Sequence, residues 1–403
     1  MFSNKHPFLT AFSLALGSAI ALGLARFSYG LLLPVMKDDL DWSYLVAGAM
    51  NTANALGYFL GALSSPMIMR KMSVHRFFIV ASIITGCFLY LSGATDNTSL
   101  LFVLRVIAGI ASAWVFVAGG VLVSQLGTIH SSRSGFLLGI YYGGPGLGIF
   151  ISTLAVPFFV EWGIQTQWEH SWQLAWYALG VLCIVLTVLL IRPVTSIPAI
   201  PPKPMGHSGT PLRTYVPVLA AYFMFGVGYI GYMTFVIALL KQLGLAGSTI
   251  NIFYAALGLS VMASSRLWAQ MLDHFKGGQS LAILNTLLGF ASLIPALMAI
   301  YDVSLNGWAI MGIFISGIMF GCVFLSAVAS TTAFVKHNMP PTDWVGGITA
   351  FTSIFAAGQI IGPTIAGWIS DGQGGLANGL LFSAVALLLG GLLATKQASL
   401  IKK

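Results

Sequence analysis

The feature that most constrains this chain is a succession of apolar runs, each about 20 residues or longer, separated by short polar breaks. A run of this length forms a helix that crosses the roughly 30 Å hydrocarbon core of a bilayer. Because charged residues make up only 7% of the 403 residues, a water-soluble globular fold is excluded. The pattern predicts twelve transmembrane helices, over residues 8–35, 43–68, 76–94, 98–125, 134–160, 171–191, 215–240, 248–272, 279–300, 307–334, 344–369 and 376–394.

The longest break between these spans is rich in proline and divides the chain into two halves. Residues 193–214 contain six prolines, which disfavour a helix and favour an extended, semi-rigid linker. Six predicted spans precede this stretch and six follow it. The sequence therefore predicts an N-terminal six-helix bundle over 1–192, a cytoplasmic linker over 193–214 and a C-terminal six-helix bundle over 215–403.

A glycine-proline pair recurs at corresponding positions of the two halves, which indicates a duplicated six-helix unit. Gly144 and Pro145 lie in the fifth span, and Gly362 and Pro363 lie in the eleventh. Glycine allows two helix backbones to approach closely, and proline bends a helix. We therefore expect an all-α polytopic membrane protein of two pseudo-symmetric bundles, in which these four residues take part in gating.

Positive charges are distributed unequally over the loops. With both termini in the cytoplasm, thirteen lysines and arginines fall in inner loops and tails, whereas only Lys37 and Lys241 fall outside. This bias predicts a multi-pass protein of the plasma (inner) membrane with cytoplasmic N- and C-termini. The net charge of +8 is explained by the same bias, so the expected partners are the lipid bilayer and a small molecule, with no nucleic acid.

Three arginines, Arg26, Arg105 and Arg266, lie within predicted spans, whereas all ten acidic residues fall in loops or at span ends. A cavity lined by guanidinium groups suits a substrate that carries its own carboxylate. Arg26 is the principal candidate for binding it, and the alternative is a structural arginine bonded to backbone carbonyls. For Arg105 both roles are open, and Arg266, seven residues before Asp273, is assigned to an inner gate.

The internal repeat suggests partners for Arg26. An offset of 203 residues places Arg26 on Tyr229 and Tyr29 on Tyr232, so an arginine from one half and a tyrosine from the other would hold the anion. For each further polar or aromatic candidate, helix packing or a hydrogen bond between helices is the alternative role. These further candidates for the substrate site are Asn51, Asn54, Tyr58, Trp114, Tyr141, Tyr142 and Gln359.

Several of these segments resemble the major facilitator superfamily. Residues 105–113, Arg-Val-Ile-Ala-Gly-Ile-Ala-Ser-Ala, are similar to the arginine and glycine motif of that family's fourth helix. Residues 144–148, Gly-Pro-Gly-Leu-Gly, are similar to its fifth-helix motif. The run 25–34, together with Asp-Leu-Asp-Trp-Ser at 39–43, resembles the YbfB/YjiJ branch. The resemblance implies a twelve-helix transporter that works by alternating access and is a monomer.

The loop after the second span departs from that family's pattern. Ser65 occupies the position where the family usually has an aspartate, whereas the basic residues Arg70 and Lys71 remain. The resemblance assigns these two basic residues to the inner gate, in which the usual ion pair is then incomplete.

These features together predict secondary active transport of a small organic anion, as anion exchange or as proton-linked transport. Two alternatives are an efflux antiporter for drugs and other amphiphiles, and a membrane sensor that binds a ligand without moving it. No nucleophile, general base and metal-ligand set converges in the sequence, so an enzyme, a metal site and a cofactor are not expected. The three cysteines lie within predicted spans and imply no disulfide framework.

Overall fold

The computed structural model describes residues 3, 6–198, 211–340 and 343–400, and within these ranges the chain is helical, with no β-strand. Local signals start several of the helices, because the side chains of Ser73, Asn97 and Asn306 each accept a hydrogen bond from a first-turn N–H group. The described α-helices are α1 Pro7–Ser18, α2 Tyr29–Asp39, α3 Tyr44–Met69, α4 Val74–Ser92, α5 Thr98–Ile129, α6 Ser134–Gln165, α7 Ser171–Thr195, α8 Val216–Gln242, α9 Gly247–Leu267, α10 Ala269–His274, α11 Gln279–Ile300, α12 Gly307–Asn338, α13 Trp344–Ser370 and α14 Gly375–Thr395.

Eleven helical stretches among the described residues are long and apolar enough to cross a membrane. The first is the continuous stretch Pro7–Asp39, in which a π-helix, Ala19–Phe27, joins α1 to α2. Helix α3 has 26 residues and is long enough to span, but polar residues such as Asn51 and Asn54 lower its hydropathy. The helices confirm the predicted all-α polytopic class.

Two helices continue through a proline beyond the end that the sequence predicts. Pro34 is within α2, which continues to Asp39, and Pro193 is within α7, which continues to Thr195. A proline near a helix end removes one backbone hydrogen bond, and the remaining bonds of the last turn can keep the helix intact. Helix α7 therefore includes the first three residues of the expected linker 193–214, whose role stays a prediction, and residues 199–210 lie outside the described residues.

The chain divides into two compact units. The first unit comprises Met1–Trp42, Ala53–Pro201 and Gly247–Met262, and the second comprises Ser43–Thr52, Pro202–Ala246 and Ala263–Lys403. The start of α3 is thus grouped with the later part of the chain, and the first part of α9 with the earlier part.

Within the first unit, glycine residues of α6 lie against the backbone of the first span. A Cβ atom added at Gly148 would lie 2.5 Å from the carbonyl oxygen of Ala19 and 2.7 Å from the Cα of Gly23. Gly144 lies in the same way against Ala15. Contacts this short leave no room for a side chain, so α6 and the first span are in direct backbone contact.

The second unit has a matching contact between α8 and α13. A Cβ atom at Gly358 would lie 3.1 Å from the Cα of Gly226, and one at Gly362 would overlap the carbonyl group of Val227. Neither position has room for a side chain, so these two helices are also in direct backbone contact.

An acidic side chain of the second unit caps the start of α3. The carboxylate of Asp371 accepts hydrogen bonds from the backbone N–H groups of Tyr44 and Leu45, at 2.7 and 2.8 Å. A negative charge at the N-terminal end of a helix interacts favourably with the helix dipole. Asp371, which is distant from α3 in the sequence, therefore caps the first two N–H groups of that helix.

We expect Gly148→Ala to lower the stability of the protein and Gly120→Ala to leave it unchanged or slightly higher. The methyl group at 148 overlaps backbone, and overpacking of this kind costs about 1–3 kcal/mol. A Cβ at Gly120, in the middle of α5, has no atom within 4 Å, so alanine there removes only the glycine penalty of up to ~1 kcal/mol. Thermal unfolding midpoints of the two variants in the same detergent test this, and equal midpoints would refute the close contact.

Candidate functional site

Arg26 lies deep in the first span, within the π-helix. It precedes the end of α2 at Asp39 by thirteen residues, which is about 20 Å at 1.5 Å per residue. Its side chain is 2% exposed, and its Nε and Nη2 atoms are buried without a hydrogen-bond partner. The guanidinium carbon lies 5.6 Å from the ring centroid of Tyr58, within the range of a cation–π interaction. Arg26 thus has buried donors that no described protein group satisfies.

Arg105 has a different environment. Its Nη1 donates a hydrogen bond of 3.0 Å to the carbonyl oxygen of Ala25, which belongs to the peptide bond leading into Arg26. Its guanidinium carbon lies 5.0 Å from the ring centroid of Tyr29 and 5.4 Å from that of Trp176. A hydrogen bond and two flanking aromatic rings fix this side chain, although its Nε and Nη2 atoms also lack a partner.

The two arginines make this part of the first unit strongly positive. Arg105 binds the peptide group that leads into Arg26, and the side-chain amide of Asn54 donates to the backbone carbonyl of Arg105 at 3.3 Å. All ten acidic residues lie in turns or near helix ends, as the sequence indicates. Among the described residues, no group of three or more His, Cys, Asp or Glu side chains is placed to hold a metal ion.

Tyr229, the expected partner of Arg26, lies in a stack of aromatic rings in the second unit. Its ring centroid is 4.9 Å from that of Phe225 and 5.2 Å from that of Phe324, with the rings nearly parallel. Its hydroxyl donates a hydrogen bond of 2.8 Å to the side-chain oxygen of Gln359. The structure therefore brings Tyr229 and Gln359 together, and the pairing of Arg26 with Tyr229 stays a prediction.

Two further candidates are also bonded within the second unit. Tyr232 stacks on Phe320 with a centroid distance of 4.1 Å, and its hydroxyl lies 2.8 Å from the hydroxyl of Ser316. Asn51 donates a 2.6 Å hydrogen bond to the Thr234 hydroxyl, and its own side-chain oxygen is buried without a hydrogen-bond partner. Both side chains are thus held in place, and their role in binding stays a prediction.

The other aromatic candidates have partners in the first unit. The indole N–H of Trp114 donates to the hydroxyl of Ser64 at 2.9 Å, and the Tyr141 hydroxyl donates to the Phe116 carbonyl at 2.6 Å. Tyr142 is 40% exposed. These contacts match the packing role that the sequence left open for Trp114 and Tyr141, and their role in binding stays a prediction.

The candidates for the inner gate lie near helix ends. Arg70 and Lys71 are exposed in the turn after α3. Arg266 and Asp273 are exposed as well, but α9 ends at Leu267 and α10 begins at Ala269. The seven residues from Arg266 to Asp273 therefore do not form one uninterrupted helix.

Trp268 is the residue between α9 and α10. Its indole N–H donates a 2.8 Å hydrogen bond to the backbone carbonyl of Cys322, which ties the interruption to α12. The gating roles predicted for glycine, proline and charged residues stay predictions; they concern Arg70, Lys71, Gly144, Pro145, Arg266, Asp273, Gly362 and Pro363.

Three features of this site were not predicted from the sequence. They are the π-helix, the indole of Trp176 beside Arg105, and the hydroxyl of Tyr254, which donates to the Phe27 carbonyl at 2.8 Å. No spacing rule indicates a π-helix, and Trp176 and Tyr254 are distant from Arg26 along the chain. The contact between Phe225 and Tyr229 could have been predicted, because residues four apart on a helix lie on the same face.

We expect Arg105→Gln to destabilise the ligand-free protein and Arg26→Gln to leave its stability unchanged or increase it. The first change removes a charge-assisted hydrogen bond to a backbone carbonyl, at about 2 kcal/mol. The second removes buried donors that have no partner. Thermal unfolding midpoints measure the difference, with Arg192→Gln at an exposed position as the control. An equal loss in both variants would make Arg26 a structural residue.

Comparison with known sequences identifies relatives over most of the chain. The profile of the family described as "Uncharacterised MFS-type transporter YbfB" matches residues 18–395. Two proteins of Agrobacterium vitis, each named "Putative tartrate transporter", are 22% identical over 414 and 410 residues. These alignments cover 92% and 91% of this chain and 85% and 88% of the relatives.

Solved structures of transporters share the fold. A bacterial homologue of the human lysosomal transporter Spinster, in an inward-facing and occupied conformation, superposes with a TM-score of 0.70 at 17% identity over 96% of each chain. A mutant of the nucleoside transporter NupG gives a TM-score of 0.69 at 14% identity, over 95% of this chain and 98% of that one. The predicted fold is confirmed. The chain is an integral multi-pass membrane protein of the major facilitator superfamily, and it belongs to the YbfB-type family of transporters rather than to a family of enzymes.

Proposed function

We propose that this transporter carries a small organic dianion, a dicarboxylate, across the cytoplasmic membrane by alternating access. The observation that carries the proposal is the buried guanidinium of Arg26, whose Nε and Nη2 atoms have no hydrogen-bond partner among the described residues. Two adjacent N–H donors of a guanidinium match the two oxygens of a carboxylate. An anion that entered this site would satisfy donors whose burial is otherwise unfavourable.

Two negative charges suit the site better than one. Arg105 binds the peptide group that leads into Arg26, and its Nε and Nη2 atoms also lack hydrogen-bond partners among the described residues. A monocarboxylate would offset one of the two charges and leave the other uncompensated. A dicarboxylate offsets both, and the tartrate named for the two Agrobacterium vitis relatives is a molecule of this class.

The same charge distribution argues against a cationic drug as the substrate. A cation placed near Arg26 and Arg105 would be repelled by both, and every acidic residue is at a helix end or in a turn. Proton-linked transport would then use a titratable substrate or an acid at a helix end, such as Asp38 or Glu161. Exchange of one anion for another needs no such group, and we propose these two modes for the cycle.

The proposed orientation places both termini in the cytoplasm. In this orientation thirteen lysines and arginines of the loops and tails are cytoplasmic and only two are outside, which is the usual bias. We propose the inner membrane as the location and a monomer as the working form. The division of the chain at the linker 193–214 is the arrangement on which alternating access by two bundles depends.

We expect tartrate and succinate to raise the thermal unfolding midpoint of the purified protein, and butyrate and tetraethylammonium to leave it unchanged. Arg26→Gln should weaken dicarboxylate binding about 10- to 100-fold, the range expected for losing a charge-assisted hydrogen bond of about 1.5–3 kcal/mol. Arg192→Gln, at an exposed position, is the matched control and should bind normally.

Uptake of labelled succinate into proteoliposomes preloaded with succinate tests transport itself. Counterflow that is lost in Arg26→Gln is the expected result. If cations raise the unfolding midpoint, and do so equally in the wild type and in Arg26→Gln, drug efflux would replace the proposal. Binding of dicarboxylates without counterflow would instead indicate a membrane sensor.

A further inference from the structure

The π-helix Ala19–Phe27 interrupts a span that is otherwise α-helical, and Arg26 is its penultimate residue. A π-helical segment places extra backbone in a helix, and such segments are frequent at functional sites. At its end the backbone N–H of Ser28 bonds to the carbonyl of Gly23, five residues earlier, at 3.0 Å. This bond joins residues five apart, whereas the bonds of an α-helix join residues four apart.

Side chains supply donors to three backbone carbonyls of this segment. The Ser28 hydroxyl donates to Leu24 at 2.6 Å, Arg105 donates to Ala25 at 3.0 Å, and the Tyr254 hydroxyl donates to Phe27 at 2.8 Å. A backbone carbonyl buried without a donor is costly, especially in a membrane. These three bonds therefore add side-chain donors to the backbone carbonyls at the end of the π-helix, on both sides of Arg26.

Tyr254 differs from the other two donors in its origin. It lies on α9, 227 residues from Phe27, and its side chain is fully buried. Residues Gly247–Met262 of α9 belong to the first unit, as does the whole first span. The carbonyl that Tyr254 binds belongs to the residue after Arg26, and the carbonyl that Arg105 binds belongs to the residue before it. The two bonds thus hold the backbone on both sides of Arg26.

The direction of the Arg26 side chain depends on the π-helical winding. One residue of an α-helix corresponds to about 100° of rotation and 1.5 Å of rise. Rewinding the segment as an α-helix would turn Arg26 by an angle of that order relative to one of its flanks. The guanidinium would then leave its position over the ring of Tyr58.

We propose that Tyr254 is a positioning residue for the anion. Its bond to the Phe27 carbonyl holds the π-helix in the winding that keeps the Arg26 guanidinium in place, so α9 controls the affinity of the site from outside it. The inference rests on the proposed function, in which Arg26 binds the carboxylate. Tyr254 itself need not contact the substrate.

The test is a double-mutant cycle on the full-length protein with tartrate as the probe. Tyr254→Phe removes only the hydroxyl and should weaken tartrate binding ~5-fold, as expected for one ordinary hydrogen bond. In the Arg26→Gln background the same change should have no further effect, because Tyr254 acts through Arg26. Tyr177→Phe is the matched control, since Tyr177 packs against Tyr90 on α4, and it should bind as the wild type does.

The outcomes separate this inference from the proposed function. If Arg26→Gln leaves tartrate binding unchanged, the proposed function fails. If Arg26→Gln weakens binding and Tyr254→Phe does not, the positioning role is overturned and the function stands. Equal losses from Tyr254→Phe in both backgrounds would also overturn the positioning role, because they would show that Tyr254 acts independently of Arg26.

A second variant covers the case in which Tyr254→Phe does not fold. Ser28→Ala removes the hydroxyl bonded to the Leu24 carbonyl and leaves α9 untouched. If the π-helical winding positions Arg26, this variant should also weaken tartrate binding, and only when Arg26 is present. Unchanged affinity in Ser28→Ala would overturn the link between the winding and the site.

Discussion

The hydrogen bond from Arg105 to the carbonyl of Ala25 is the interaction on which the site in the first unit depends. Inside a membrane, every backbone polar group needs a partner within the protein. Arg105 adds a side-chain donor to the backbone of the π-helix in the first span. The same bond brings a second positive charge close to Arg26, so one residue supports the backbone and sets the charge of the site.

Glycine contacts give each unit a tightly packed helix pair that includes its lead helix. In the first unit α6 lies against the first span through Gly148, and in the second unit α13 lies against α8 through Gly358. The two lead helices nevertheless differ in chemistry. The first span carries a buried, unsatisfied cation, whereas α8 carries Tyr229 in a stack of parallel rings with its hydroxyl bonded to Gln359. The lead helices of the two units thus carry different buried side chains.

Much of the fold was predictable because long apolar runs allow few alternatives in a bilayer. Helix ends were less predictable, since tertiary contacts decide whether Pro34 and Pro193 end a helix or lie within it. For the site, the sequence indicated three arginines within spans because charged residues there are rare, and two of them, Arg26 and Arg105, are buried. It contained no signal for the π-helix, Trp176 or Tyr254, since these depend on backbone winding and on contacts between residues far apart in the chain.

The Nε and Nη2 atoms of Arg26, which no described group satisfies, have a consequence for the stability of the protein in the cell. A ligand that binds the folded state stabilises it in proportion to the logarithm of its concentration above the dissociation constant. The empty transporter would then be the form more exposed to quality-control proteases, and the occupied one would be protected. On the proposed function, the amount of transporter in the membrane would follow the supply of its own substrate without any change in gene expression.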